Sequence, residues 1–273
     1  KASFEPERKG IERVSSSTRF MPPTSLTVLV GLPHIAAIDG SVVDALWIVA
    51  QRTGAELRRM PNRPVDDARN RLALELLKSG HSHLLFWDAD MRPPLGGLER
   101  LLSRSKDIVS GLAFGRLAPH WPVSLAYRKN DQYIVDVEET IEFLNRYRRT
   151  WPTMYFKGAI LPADDPDVLV ERAATGCAFT LIRREVFEAI HPDWKKQDLP
   201  EWFHTSDGVT GEDAFFSELV KAKGFEIWLD RSVVVGHGYG DQHIGPMAWL
   251  GFMAYAKSLP FDEFQRVSQL GLG

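Results

Sequence analysis

The chain has 273 residues, enough for one large α/β domain or two small ones. With 44% hydrophobic and 25% charged residues it has the balance of a globular protein, which excludes a disordered or fibrous chain. A net charge of −3 excludes a global basic signature for nucleic acid, the single Cys177 excludes an intrachain disulfide, and no apolar run reaches the ~18 residues of a membrane span.

A free cysteine fits a reducing compartment, so a cytoplasmic location and no transmembrane segment are expected. The first residue is Lys1 rather than Met, which leaves a preceding targeting segment open. Residues 1–24 are polar and read as an arm or disordered tail. Leu26 to Val30 reads as a strand ended by Gly31-Leu32-Pro33. Ser41 to Arg52 has apolar residues at helical spacing and Gly54 to stop it. Ala55 to Met60 is a second strand. Asp66 or Asp67 then caps a helix through Lys78, with Leu72, Leu76 and Leu77 on one face and Gly80 as terminator.

Leu84 to Trp87 is short and apolar, as expected of a strand buried on both faces, and it ends in Asp88-Ala89-Asp90. Leu95 to Ser103 reads as a short helix and Asp107 to Phe114 as another strand. Strands and helices thus alternate from 26 to 114, which predicts a mostly parallel sheet with helices on its faces. From 115 to 170 the pattern is less regular. Tyr133 to Val137 reads as a strand and Glu138 to Arg149 as a helix. Arg146, Arg148, Arg149 and Lys157 interleave there with Tyr147, Trp151, Tyr155 and Phe156, which suits either a solvated surface or a grip on sugars, phosphates or bases. Order returns at Val168 to Arg183, followed by a helix at Glu185 to Ile190. A loop with Trp194, Trp202, Phe203 and His204 leads to Gly211-Glu212-Asp213 and a helix from Ala214 to Ala222. Phe225 to Leu229 and Val233 to Val235 read as two strands. Pro246 to Lys257 is an apolar helix, expected to pack on the domain or on a second subunit in a homo-oligomer.

Three constellations carry chemistry. Two carboxylates at a strand end, Asp88 and Asp90, suit a hard divalent cation, which takes oxygen ligands and bridges to phosphates. Glu212 and Asp213 open a helix, where the macrodipole favours negative charge and mutual repulsion raises one pKa. His237 lies between glycines after a Val-rich strand, and a neutral imidazole is a good metal ligand. Each alone also fits a plain turn or helix start.

In this order the residues resemble a glycosyltransferase of the GT-A fold, family 2-like. The likeness runs from Leu26 to Gly240. It rests on Ala68-Arg69-Asn70, on Leu84 to Met91 with its Asp-x-Asp motif, on Asp107 to Gly111, on Thr175 to Phe187, on Gly211 to Phe216 with its Glu-Asp motif, and on Val235-Gly236-His237. The resemblance implies an α/β fold, a single Rossmann-like domain with a mixed, mostly parallel central sheet flanked by helices. Residues 25–240 would form the catalytic domain, with a nucleotide-binding part over 25–114 and an acceptor-binding part over 115–240. Residues 241–273 would form a C-terminal helical extension.

The resemblance further implies transfer of a sugar, with inversion, from a nucleotide-diphosphate sugar to an acceptor hydroxyl, assisted by Mn²⁺ or Mg²⁺. Asp213 would be the general base, and Glu212 would bind or orient the acceptor. Asp90 and His237 would hold the metal, and Asp88 would touch the metal or the donor ribose. Arg69, Gly31, Leu32, Pro33 and Ala89 would complete the donor site. Gly176 would give the acceptor room beside Trp121, Trp202 and His204. No clear acid closes the second strand, where many members bind uridine. Arg63, Asp66 or Asp67 would substitute, so the donor is UDP- or GDP-linked. The acceptor is a saccharide, a small molecule or modified DNA. The competing readings are a nucleotidyltransferase, which also uses paired acids and a metal, and a non-catalytic sugar-binding relative.

Overall fold

A computed structural model describes residues 26–34, 38, 40–115, 123–125, 127–129, 132–134, 137–146, 168–205, 211–239 and 242–244. In chain order the elements are β1 (Val28–His34), α1 (Gly40–Thr53), β2 (Glu56–Pro61), α2 (Val65–Ser79), β3 (His83–Trp87), β4 (Met91–Arg92), α3 (Gly97–Ser103) and β5 (Ile108–Leu112). Then follow β6 (Ser124–Leu125), β7 (Tyr127–Lys129), β8 (Gln132–Ile134), α4 (Val137–Arg146), β9 (Leu169–Arg172), β10 (Ala174–Thr175) and β11 (Phe179–Arg183). The last are α5 (Arg184–Ile190), α6 (Glu212–Ala222), β12 (Ile227–Val234), β13 (Gly236–Tyr239) and β14 (Gln242–Ile244). The expected N-terminal arm and the expected helix at Pro246 to Lys257 lie outside the described residues, as do Arg148, Arg149, Trp151, Tyr155, Phe156 and Lys157.

The fold is mixed α/β. Seven strands form one sheet in the order β2-β1-β3-β11-β5-β12-β9. β2, β1 and β3 pair in parallel, as do β5 and β12, while β11 and β9 run antiparallel to their neighbours. Side chains alternate between the two faces with period two. Val28, Val30 and Leu32 of β1 with Leu85 and Trp87 of β3 meet α1 and α3 on one face. Leu29, Leu84 and Phe86 meet α2, α5 and α6 on the other. Both faces are covered, so β3 is buried at every residue and its sequence is uniformly apolar.

Several boundaries differ from expectation for identifiable reasons. β1 continues through Gly31-Leu32-Pro33 instead of ending there. β3 pairs only with Val28 to Gly31, so one flank of the strand is open by Pro33, where a missing N–H is tolerated. Neither Asp66 nor Asp67 caps α2; Pro64 precedes it, and both acids stand in its first turn, where the macrodipole favours them. Gly80 closes α2 in the left-handed conformation, φ 79°, as expected. The two strands expected at 225–229 and 233–235 are one strand, β12, whose register against β5 shifts between Asp230 and Val234. Buried Asp230 holds that irregularity by accepting from Arg104 Nε at 2.6 Å and from the Ser232 N–H at 2.9 Å.

Gly111 of β5 faces this bulge. A Cβ there would lie 2.8 Å from the Val233 carbonyl and 2.9 Å from Val235 Cγ2. Gly111→Ala is expected to cost about 1–3 kcal/mol by overpacking, read from the urea midpoint. An unchanged midpoint would show that β12 shifts freely, which the Asp230 bonds oppose.

The topology sets which ends meet. β3, β5 and β12 share one direction, so their carboxyl ends lie along one edge, and antiparallel β11 brings its amino end to that edge. α2 and α6 begin at the same edge, each preceding a strand that runs the other way from the helix. Among the described residues no helix is long and apolar enough to cross a membrane.

Candidate active site

Arg69 is the centre of this edge. It sits in the second turn of α2, is 2% exposed, and meets three carboxylates. Its Nη2 lies 3.2 Å from both Asp88 oxygens, while its Nη1 bonds Glu212 and Asp213 at the start of α6. The guanidinium also lies over the Phe86 ring at 5.9 Å. A planar fork with five donors can join acids from two directions, which a lysine cannot. Burial disfavours the Arg69 charge, and Asp213, Asp88 and Glu212 more than offset it, so its pKa is held well above the ordinary value.

The carboxylates respond in the opposite sense. Burial raises the pKa of Asp213 to about 6; Arg69 works against this, and Glu212 and Asp88 add to it. Asp88 is also raised, by burial first, with Arg69 opposing. The Cys177 thiol hydrogen-bonds Asp213 and is pushed well above its usual pKa, chiefly by burial. It therefore stays a neutral S–H that donates to the carboxylate. Asp213 thus has a pKa near the working range of a general base. A Cβ at Gly176 would lie 3.3 Å from Asp213 Oδ2, so glycine keeps the space beside that oxygen open.

A second group forms beside the first. The Trp87 indole donates to the Met91 carbonyl at 2.9 Å, and the Met91 N–H donates to the Asp88 carbonyl at 2.9 Å, which fixes the turn carrying Asp88-Ala89-Asp90. β13 then pairs with β4, and the Gly238 N–H donates to the Asp90 carbonyl at 2.7 Å. This strand pairing brings His237 to Asp90, where Nε2 lies 3.1 Å from Asp90 Oδ2. Nδ1 lies 2.8 Å from the Phe114 carbonyl, which can only accept, so Nδ1 carries a hydrogen. Nε2 and the carboxylate oxygen are then two acceptors face to face unless a proton or a cation lies between them. The donor set therefore fits a divalent cation with two protein ligands. Among the described residues no three His, Cys, Asp or Glu side chains converge for a metal, so water or substrate oxygens would fill the other positions, as Mg²⁺-type ions accept.

The remaining expected site residues divide clearly. Asp88, Ala89 and Asp90 are half-exposed at the edge, as are Glu212, Asp213 and Gly176. Gly31, Leu32 and Pro33 are buried in β1; a Cβ on Gly31 would meet Leu72 and Leu84 at 3.0 and 3.1 Å, so this stretch packs the core rather than lining a base. Arg69 is enclosed by carboxylates and stands as an internal brace rather than an open diphosphate contact. Trp202 is fully buried, donates to the Phe187 carbonyl at 3.0 Å, and is therefore core, not an acceptor wall. His204 is half-exposed beside Phe215, with ring centroids 5.5 Å apart. Trp121 lies outside the described residues. Asp67 is held by Arg71 and Arg63, and Asp66 accepts from the Thr205 N–H at 3.3 Å. Asp88 leans on Arg69 with both oxygens, apart from the Asp90–His237 pair.

Sequence reasoning missed several supports. Asn70 donates to the Phe203 carbonyl at 2.8 Å and accepts from the Trp202 and Phe203 N–H groups at 2.9 Å each, anchoring the segment that leads to α6. Its place directly after Arg69 was the available signal. For Phe114, which acts through a backbone carbonyl, no side-chain signal existed.

The chain matches no protein-family model and no curated protein. Among solved structures it is similar to A197 from STIV, with a TM-score of 0.47 and 14% identity over 82% of this chain and 91% of that one. It is also similar to 4-diphosphocytidyl-2C-methyl-D-erythritolsynthase from Anaerococcus prevotii, with a TM-score of 0.34 and 9% identity over 85% of this chain and 99% of that one. Likenesses this distant assign no chemistry to the site.

Proposed function

We propose that the chain is a metal-dependent glycosyltransferase of GT-A type, moving a sugar with inversion from a nucleotide-diphosphate sugar to an acceptor hydroxyl. The observation that carries the reading is the meeting, at one sheet edge, of the Asp90–His237 pair with Asp213 and Glu212 braced by Arg69. Asp90 and His237 would hold Mn²⁺ or Mg²⁺, and the ion would offset the charge that builds on the departing diphosphate. Asp213 takes the acceptor proton as the acceptor oxygen bonds the anomeric carbon and the bond to the diphosphate breaks. Arg69 keeps Asp213 aimed, and the space beside Gly176 admits the hydroxyl. Asp88 and Ala89 border the donor.

A nucleotidyltransferase would use a glycine-rich phosphate loop after its first strand. Buried Gly31-Leu32-Pro33 inside β1 weighs against that among the described residues.

Thermal-shift titration with UDP, GDP, CDP, dTDP and their sugars, with and without Mn²⁺, tests the proposal. One diphosphate is expected to stabilise the chain only when metal is present. No metal-dependent stabilisation by any of them would sink it. His237→Ala should shift the Mn²⁺ activation curve to at least about tenfold higher concentration. Superimposable curves for wild type and variant would remove His237 from the metal site.

A further inference from the structure

The helix α1 has an outward face that neither the sheet nor the candidate site uses. Val42, Leu46 and Val49 point into the core, as the helical period requires. On the opposite side Val43 and Trp47 lie one turn apart with Ile48 beside them, all exposed, Trp47 at 67%. β2 extends this surface. Ala55 shares the core of Val42, Leu46 and Val49, so strand alternation places Leu57 and Arg59 on the same side of the sheet as α1. Leu57 is exposed too, and β2 is an edge strand.

The charge of this region is opposite in sign to that of the whole chain. Between Gly40 and Pro64 stand the exposed Arg52, Arg58, Arg59 and Arg63 against two acids, Asp44 and Glu56, in a chain of net charge −3. Arg52, Arg58 and Arg63 meet Glu99, Glu56 and Asp67 in solvent-exposed pairs. Such pairs hold a guanidinium only weakly, so it remains open to a stronger anionic surface.

We propose that this α1–β2 face docks on an anionic lipid surface, with Val43, Trp47, Ile48 and Leu57 entering the interface and Arg58 and Arg59 meeting lipid phosphates. The shape favours a bilayer over a protein partner. A stable protein interface buries roughly 1,200–2,000 Å² of complementary surface. The convex crest of one helix and one strand residue supplies only a few side chains, which suffices for shallow insertion among headgroups. Tryptophan, with an apolar body and one N–H, suits that depth. β4 packs on α1 directly after Asp90, so docking would set the candidate site close to the lipid surface. The inference does not depend on the transferase reading.

Vesicle co-sedimentation of the full chain, compared between phosphatidylcholine alone and phosphatidylcholine with phosphatidylglycerol, tests it. Binding is expected on the anionic vesicles, weaker on the neutral ones and weakened by salt. Trp47→Ser should reduce binding about tenfold. Arg59→Gln should reduce it about fivefold. All are surface changes, and an unaltered far-UV spectrum confirms folding. Absence of vesicle binding, or binding indifferent to both substitutions, overturns the proposal. A concentration-dependent dimer in solution that Trp47→Ser dissolves would also overturn it, by giving the face to a second copy.

Discussion

Arg69→Met is expected to destabilise the chain by about 3–5 kcal/mol, because it strips the one buried cation from three carboxylates that converge on it. Methionine fills similar space, so lost packing contributes little and the charge term dominates. Asp88, Glu212 and Asp213 would then repel one another at close range. Their relief is to bind protons, which gives the cost a pH signature. A carboxylate whose folded pKa is raised contributes stability at low pH that is lost as pH rises from its unfolded to its folded value. The variant should therefore lie nearest to wild type in acid and fall furthest below it above neutrality. Urea unfolding across pH measures this. A deficit that does not grow with pH would mean that Arg69 acts through packing and not as the brace. Arg69→Lys should recover only part, since one ammonium cannot satisfy acids from two directions.

The second large effect concerns turnover. Asp213→Asn should lower the catalytic rate about 10²–10⁴-fold while donor binding persists. An amide keeps the shape and accepts hydrogen bonds but cannot take the acceptor proton. The wild-type rate should rise with pH through about 6 and level off above, since a base works deprotonated and burial places this pKa at about 6. That limb should be absent from whatever rate the variant retains. Normal turnover in Asp213→Asn would remove the residue from the chemistry. In wild type the same raised pKa favours the folded state below 3.8, and that contribution is lost as pH climbs to about 6. His83 works in the other direction. Burial, with Arg183 adding, depresses it to about 4, so its contribution is full above 6.5 and is lost as pH falls toward 4.

Much of the scaffold was legible because it depends on local period and punctuation. The apolar run Leu84 to Trp87 announced a strand covered on both faces, and Gly80 announced the end of α2. The acids Asp88, Asp90, Glu212 and Asp213 were legible for a related reason, since charges at strand ends and helix starts stand out against an apolar background. Composition likewise determined that one large domain without disulfides was feasible.

Only the tertiary structure decided how these pieces meet. Antiparallel β11 enters between β3 and β5, which no local pattern reveals, because strand order depends on contacts between residues far apart in the chain. The pairing of β13 with β4 converts a glycine-flanked histidine into a partner of Asp90. Arg69 looked like a donor contact until 143 residues of intervening chain were folded back to set Glu212 against it. Trp202 looked like a wall because an aromatic in a polar loop resembles one, yet Phe187 and Asn70 draw it into the core. Periodicity along the chain specifies which face of an element is buried, and the chemistry of a site depends on which buried and exposed faces are brought together.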